Sequence, residues 1–308
     1  MALLTPALVS IESILPGVQW SLHQDISIEL DNDLIESIDH LGLLRPPIVR
    51  PGQDGYELIC GARRLDALRQ LRHGPTMPCS VLGDQVQGED FLLVVAEDQI
   101  HTGPLSSIEA SRLIALHSQC CTQPNHELLM RATSTSSTTQ RNRLHSLLQL
   151  EEPIRTSIHH GGISTKTGLS LVSLPSAERL FIYELFTRLS LNANKQRRFL
   201  ELVQIITAAK GCTIAELITD HFAELCQGHI ENIPQKTHQL MKHLYELSHP
   251  GISLAKEEFL KQVSEINLPK NCKAIPSPAF EKDRITLEVA FDDFNAFSEA
   301  CNKIRKYG

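Results

Sequence analysis

Leu58–Leu71 reads LICGARRLDALRQL. A β-like run gives way at Gly61 to a helix-like run from about Arg63 to Leu71, so the stretch marks a strand–turn–helix junction. The first turn of a helix carries unsatisfied N–H groups and the positive end of the helix dipole, which favour an anion. Two cations there oppose the dipole by a few tenths of a kcal/mol each. Arg63 and Arg64 therefore either swing into solvent or clamp a strongly negative group such as a polyphosphate. The stretch by itself leaves both readings open.

Upstream, DNDLIESIDHLGLL places Leu34, Ile35, Ile38 and Leu41 at helical spacing, with Asp31 or Asn32 as N-cap and a glycine where a helix stops. PPIVRPGQDGYELIC comes next, with β-rich runs at Ile48–Arg50 and Tyr56–Cys60 on either side of the turn-forming PGQDG, a hairpin signal. Downstream, a short strand near Met77–Leu82 and a helix from Asp90 to about Ile100 complete an α/β unit over 10–105.

After HTGPLSS the strand signal nearly vanishes, and 106–210 is expected to be all helical. NHELLMRA suits a short helix. The polar TSTSSTT then leads into QRNRLHSLLQL, whose Leu144, Leu147, Leu148 and Leu150 form an apolar stripe. A short helix, a tight connection and a second helix with a polar, basic start is the order of a helix-turn-helix. Residues 211–308 combine helical stretches, a Pro/Lys/Asn-rich link at Leu268–Pro278, one strand in RITLEVAF and an amphipathic helix with Phe294, Phe297, Ala300 and Ile304 on one face. That strand and that helix face make this segment a candidate dimer contact. The fold class is therefore a multidomain α+β one: an α/β domain, an all-helical domain and a small α+β C-terminal segment.

The net charge of −7 is unevenly spread. Residues 1–110 hold 6 basic against 16 acidic side chains, whereas 134–198 hold 9 against 4. The one basic block coincides with the second helix of the helix-turn-helix, where Ser137, Thr138, Gln140, Arg141 and Arg143 cluster. Arginines there suit guanine edges and hydroxyls suit phosphate oxygens, so these five are the candidate contacts to double-stranded DNA. The eight cysteines show no spacing suited to zinc ligation. No stretch reaches about 18 uninterrupted apolar residues, and the N-terminus lacks a basic region before its short apolar run, so a cytoplasmic protein without a membrane span is expected.

The stretch from Leu34 to Leu71 resembles the N-terminal domain of the ParB chromosome-partition family, within the ParB/sulfiredoxin-like superfamily. Leu34, Ser37, Ile38, Gly42, Leu43, Pro47, Ile48, Val49, Tyr56, Gly61, Arg63, Arg64 and Ala67 fall on family positions, Gly61, Arg63 and Arg64 on its Gly-Glu-Arg-Arg signature and Ala67 in the helix after it. EDQIHTGPLSSIEASRL resembles the family's Glu-Asn-Ile-His-Arg segment and the sequence after it, and LHSLLQLEEPIRTSIHHGGIS resembles the family sequence just beyond its recognition helix. The likeness covers about 10–205.

The resemblance implies a bacterial DNA-binding clamp that responds to CTP with Mg, working in chromosome partition as a homodimer beside a ParA-like ATPase. It implies nucleotide contacts from Gly61, Arg63, Arg64, Asp98, Gln99 and His101, with Asp98 as Mg ligand. Ala62 replaces the signature glutamate, Asp98-Gln99 replaces Glu-Asn, and Thr102 stands where the family has arginine. Those departures argue against efficient CTP hydrolysis and keep open a nucleotide-independent DNA-binding regulator or adaptor on the same fold. Ala62 also occupies the place of the sulfiredoxin cysteine, which leaves a thiol-phosphotransfer enzyme poorly equipped.

Overall fold

The computed structural model describes residues 3–23, 32–72, 74–100, 104–120, 126–226, 231–280 and 283–305. Its first part runs β1 (Leu4–Ser10), β2 (Ile14–Leu15), α1 (Asn32–Leu41), β3 (Ile48–Gly52), β4 (Gly55–Cys60), α2 (Ala62–Leu71), β5 (Thr76–Leu82) and α3 (Gly88–Ile100). The strands form one mixed sheet in the order β1-β5-β3-β4-β2. The hairpin read from PGQDG is present as the antiparallel pair β3/β4, closed by Gly52 opposite Gly55.

Two strands have no clear signal in the sequence. β1 pairs antiparallel with β5, Leu4 opposite Leu82, and the two-residue β2 pairs parallel with β4. The α/β part therefore starts at β1, before residue 10. As an edge strand β1 tolerates Pro6, which has no N–H to give to a ladder. Gly17 lets the chain after β2 lie against β4, since a Cβ there would sit 1.6 Å from the Leu58 carbonyl oxygen.

Strand alternation divides the core between the two sheet faces. Val49 and Leu58 face a cluster with Val9, Ile38, Leu65, Leu68 and Met77, which buries one side of α1 and α2. Ile48, Ile59 and Cys60 join another cluster, with Phe91, Leu92, Val95, Leu113, Leu116 and Leu129. The second cluster draws on α3, on α4 (Ser107–Cys120) and on α5 (His126–Thr133), so hydrophobic packing continues across position 105.

The helical part continues with α6 (Thr138–Ser146), α7 (Glu152–His159), α8 (Thr165–Val172), α9 (Ser176–Arg188) and α10 (Ala193–Lys210). At its centre lies α4: Ile108, Leu113 and Leu116 are fully buried, and the Ser111 hydroxyl donates to the Leu144 carbonyl at 2.6 Å, tying α4 to α6. The chain divides into two compact units, 1–200 and 201–308, the division falling within α10.

The second unit holds the end of α10, α11 (Ile214–Cys226), α12 (Ile233–Ser248), α13 (Pro250–Ile266), β6 (Cys272–Pro276), β7 (Ile285–Val289) and α14 (Phe294–Ile304). β7 and α14 match the sequence reading. β6 lies inside the segment read as a link, pairing antiparallel with β7, Cys272 opposite Val289.

Candidate functional site

The turn before α2 is built as its composition requires. Gly61 takes φ +99°, a left-handed conformation natural to glycine, and its carbonyl accepts the Leu65 N–H at 3.0 Å to open the helix. No side chain caps α2, and its first turn contains no acidic residue. A Cβ on Gly61 would stand 3.1 Å from the Arg64 guanidinium, so that side chain folds back over the turn.

The two arginines have different fates. Arg63 is exposed. Arg64 points inward, donating through Nη1 to the carbonyls of Arg45 (2.9 Å) and Pro46 (3.2 Å) and through Nη2 to Asp98 Oδ2 (3.0 Å). Arg45 completes a latch, its Nη2 donating to Asp98 Oδ1 at 3.0 Å and to the Asp98 carbonyl at 3.1 Å. Asp98, near the end of α3, is 8% exposed and has a guanidinium on each carboxylate oxygen. The reading of Asp98 as a metal ligand thus meets a carboxylate already engaged by two arginines. No local signal marks Arg45 in the sequence, because its partner lies 53 residues away.

Cys60, at the end of β4, is buried beside this latch. Burial above all, and then the negative charge of Asp98, pushes its thiol far up. A group so rarely ionised is a poor nucleophile. Gln99 is described only as helical backbone, and His101 and Thr102 lie outside the described residues.

The two helices and tight connection expected from the sequence are α5, the segment 134–137 and α6. Ser134 takes φ +53° and so reverses the chain. Ser137 caps α6, its hydroxyl accepting the Gln140 N–H, while the Gln140 side-chain Oε1 accepts from the Ser136 N–H (2.8 Å) and hydroxyl (3.0 Å). Gln140 and Ser137 therefore help fold the turn. Thr138 and Arg143 are exposed, but Arg141 is only 7% exposed, with Nη2 3.2 Å from Thr138 Oγ1. Arg141 thus sits on the inner side of α6.

A groove of about 380 Å³ opens beside α6, lined by Arg143, Ser146, Lys166, Leu169 and Ser170 from α6 and α8. Nothing in the sequence singles out Lys166. Its place becomes apparent only when α8 packs against α6. Arg197 and Arg198, also in the basic block, are exposed on α10.

In the same helical part, Glu151 anchors the start of α7 to α9. It accepts from Arg179 Nη2 at 2.7 Å and from the Ser176 hydroxyl at 2.6 Å. Burial alone would raise its pKa, but the hydrogen bonds from Arg179 and Ser176 bring it down to about 2. A carboxylate depressed in this way stabilises the fold above the ordinary carboxylate range, and that contribution is lost as pH falls towards about 2. Denaturant melts of wild type and Glu151→Gln should therefore differ most near pH 7 and converge towards pH 2. A gap independent of pH would contradict this.

Residues 7–86 match the family model described as the ParB N-terminal domain. A "Probable chromosome 1-partitioning protein ParB" from Deinococcus radiodurans is 31% identical over 165 residues, 53% of this chain and 54% of that protein. A "Chromosome-partitioning protein Spo0J" from Thermus thermophilus is 33% identical over 150 residues, 48% of this chain and 53% of that protein. The chain spans about half the length of these curated relatives. Among solved structures, C-terminally truncated ParB from Caulobacter crescentus with CTP-gamma-S covers 57% of this chain and 98% of its own, at 17% identity and TM-score 0.27. The same protein with the centromeric parS site covers 63% and 98%, at 14% identity and TM-score 0.35. Residues 7–86 thus match the ParB N-terminal domain, and over about half its length the chain is similar to two ParB-type partition proteins at above 30% identity.

Proposed function

We propose that this protein is a partition or nucleoid-associated factor that binds double-stranded DNA through α6 and takes CTP, with Mg, at the Gly61 turn. The observation that carries the reading is the exposed basic edge of α6, where Thr138 and Arg143 stand on a helix that opens, with Lys166 of α8, onto a groove directly after a tight interhelical connection. Phosphates would meet Arg143, Lys166 and Ser170 there, and base edges the outer side of α6. The uncapped N-terminus of α2 with the exposed Arg63 suits a triphosphate.

Under this reading Arg64 is the switch. A triphosphate would draw its guanidinium from Asp98 and so loosen the end of α3, which leads into α4 and the DNA-binding helices. Nucleotide changes DNA binding only if it favours one arrangement over the other. The exposed Ile285, Leu287, Phe294 and Phe297 of the C-terminal segment favour a homodimer, and a ParA-like ATPase is the proposed partner in the cytoplasm. No single helix among the described residues is long and apolar enough to cross a membrane.

One observation favours the second reading, a DNA-binding regulator without nucleotide: the latch already satisfies Arg64 and Asp98 within the protein. Titration of the full chain with labelled CTP, with and without Mg, separates the two. Saturable binding that is lost in Arg63→Ala supports the switch. No signal at millimolar nucleotide leaves the regulator.

A further inference from the structure

Three side chains outside both sites converge in the first unit. His23 precedes α1, Glu109 lies in the first turn of α4, and His159 ends α7. His23 Nε2 is 2.6 Å from Glu109 Oε1, and His159 Nδ1 is 3.9 Å from Glu109 Oε2. A donor atom from each lies within 4.8 Å of the other two. The side chains are 27%, 12% and 16% exposed, sheltered yet reachable by an ion. We propose that His23, Glu109 and His159 form a binding site for a divalent transition-metal ion of the zinc class, clipping the segment before α1 to α4 and α7.

Two imidazoles and one carboxylate are a donor set that zinc accepts with a fourth position left to water or a ligand. With metal–ligand distances of about 2.0–2.2 Å, tetrahedral donors stand roughly 3.3 Å apart. Glu109 meets the two imidazoles with different oxygens, Oε1 2.6 Å from His23 Nε2 and Oε2 3.9 Å from His159 Nδ1, so rotation of the carboxylate and of the rings is needed to set one donor from each around a single ion. The two rings meet edge to face with centroids 5.6 Å apart, both beside the same carboxylate.

The Ser106 N–H holds Glu109 Oε2 at 2.7 Å and so orients the carboxylate, whereas the Ser106 hydroxyl, 2.9 Å from His159 Nδ1, has to turn away for that nitrogen to bind a metal. A bare ion pair between His23 and Glu109 would leave His159 outside it, beyond hydrogen-bond distance of the carboxylate. The metal instead gives all three elements one common centre.

The test uses the full chain stripped of metal and titrated with cobalt(II), a spectroscopic substitute for zinc. One equivalent should give visible d–d bands without a thiolate charge-transfer band, and X-ray absorption should count two imidazoles on the metal. His23→Gln and His159→Gln, each checked for folding by circular dichroism, should weaken binding by more than the roughly 10–100-fold that loss of an outer-shell partner costs. No stoichiometric uptake, a thiolate band, fewer than two imidazoles, or unchanged affinity in either folded variant would overturn the site. If both variants unfold, the imidazole count on wild type decides.

Discussion

Asp98→Ala should lower the stability of the first unit by about 3 kcal/mol, because it removes the one carboxylate between two guanidinium groups in a largely buried position. Arg64, 17% exposed, would keep the carbonyls of Arg45 and Pro46 but lose the carboxylate that balances its charge. For a unit of this size the loss corresponds to a fall in Tm of roughly 6–12 °C. Arg45→Ala is the control: at 43% exposure its pair with Asp98 resembles a surface ion pair and should cost less than about 1 kcal/mol. Thermal melts of both variants check the account. An Asp98→Ala melt within about 1 °C of wild type would show that the latch stabilises nothing.

The second large effect concerns DNA. Combining Arg143→Ala with Lys166→Ala strips two cations from one groove while leaving the buried residues of α6 and α8 untouched. Contacts of this kind are worth about 1–3 kcal/mol each when they reach a base edge, and less at a phosphate. As phosphate contacts, their combined loss should weaken DNA binding by roughly tenfold at moderate salt. The slope of log affinity against log salt should become shallower by about two, since two fewer counterions are released. Arg141→Ala should behave differently, because that side chain lies on the inner side of α6 and its loss acts on folding before binding. Anisotropy titrations at several salt concentrations distinguish the two cases. A double variant that binds like wild type would remove α6 and α8 from the interface.

Much of the architecture is legible in the sequence because its signals are local. Turn residues in PGQDG dictate the hairpin, and Gly61 followed by helix formers dictates the start of α2. The polar connection before α6 places the two helices and the turn between them, but of the leucine stripe only Leu144 lies in α6, which ends at Ser146, while Leu147–Gln149 form a separate tight turn. The elements that escape depend on partners far along the chain. β1 is a strand only because β5 lies alongside it, more than sixty residues later. β6 hides in a segment of Pro, Lys and Asn, where β7 supplies the pairing that its composition does not announce.

Site residues divide in the same way. Gly61 and Arg63 occupy the turn that their spacing implies. The inward direction of Arg64 depends on Asp98, 34 residues away, and the His23–Glu109 contact spans 86 residues. Neither can be read from neighbours. Arg141 is different, since it stands three residues before Leu144 and so shares a helical face with the apolar stripe, a signal already present in the sequence.

Hydrogen–deuterium exchange of the full chain with and without duplex fragments of genomic DNA tests the DNA reading most directly. Slower exchange concentrated in 134–146 and 165–170 is the expected result. Unchanged exchange in both segments while DNA is demonstrably bound would place the nucleic acid elsewhere on the chain and contradict the account.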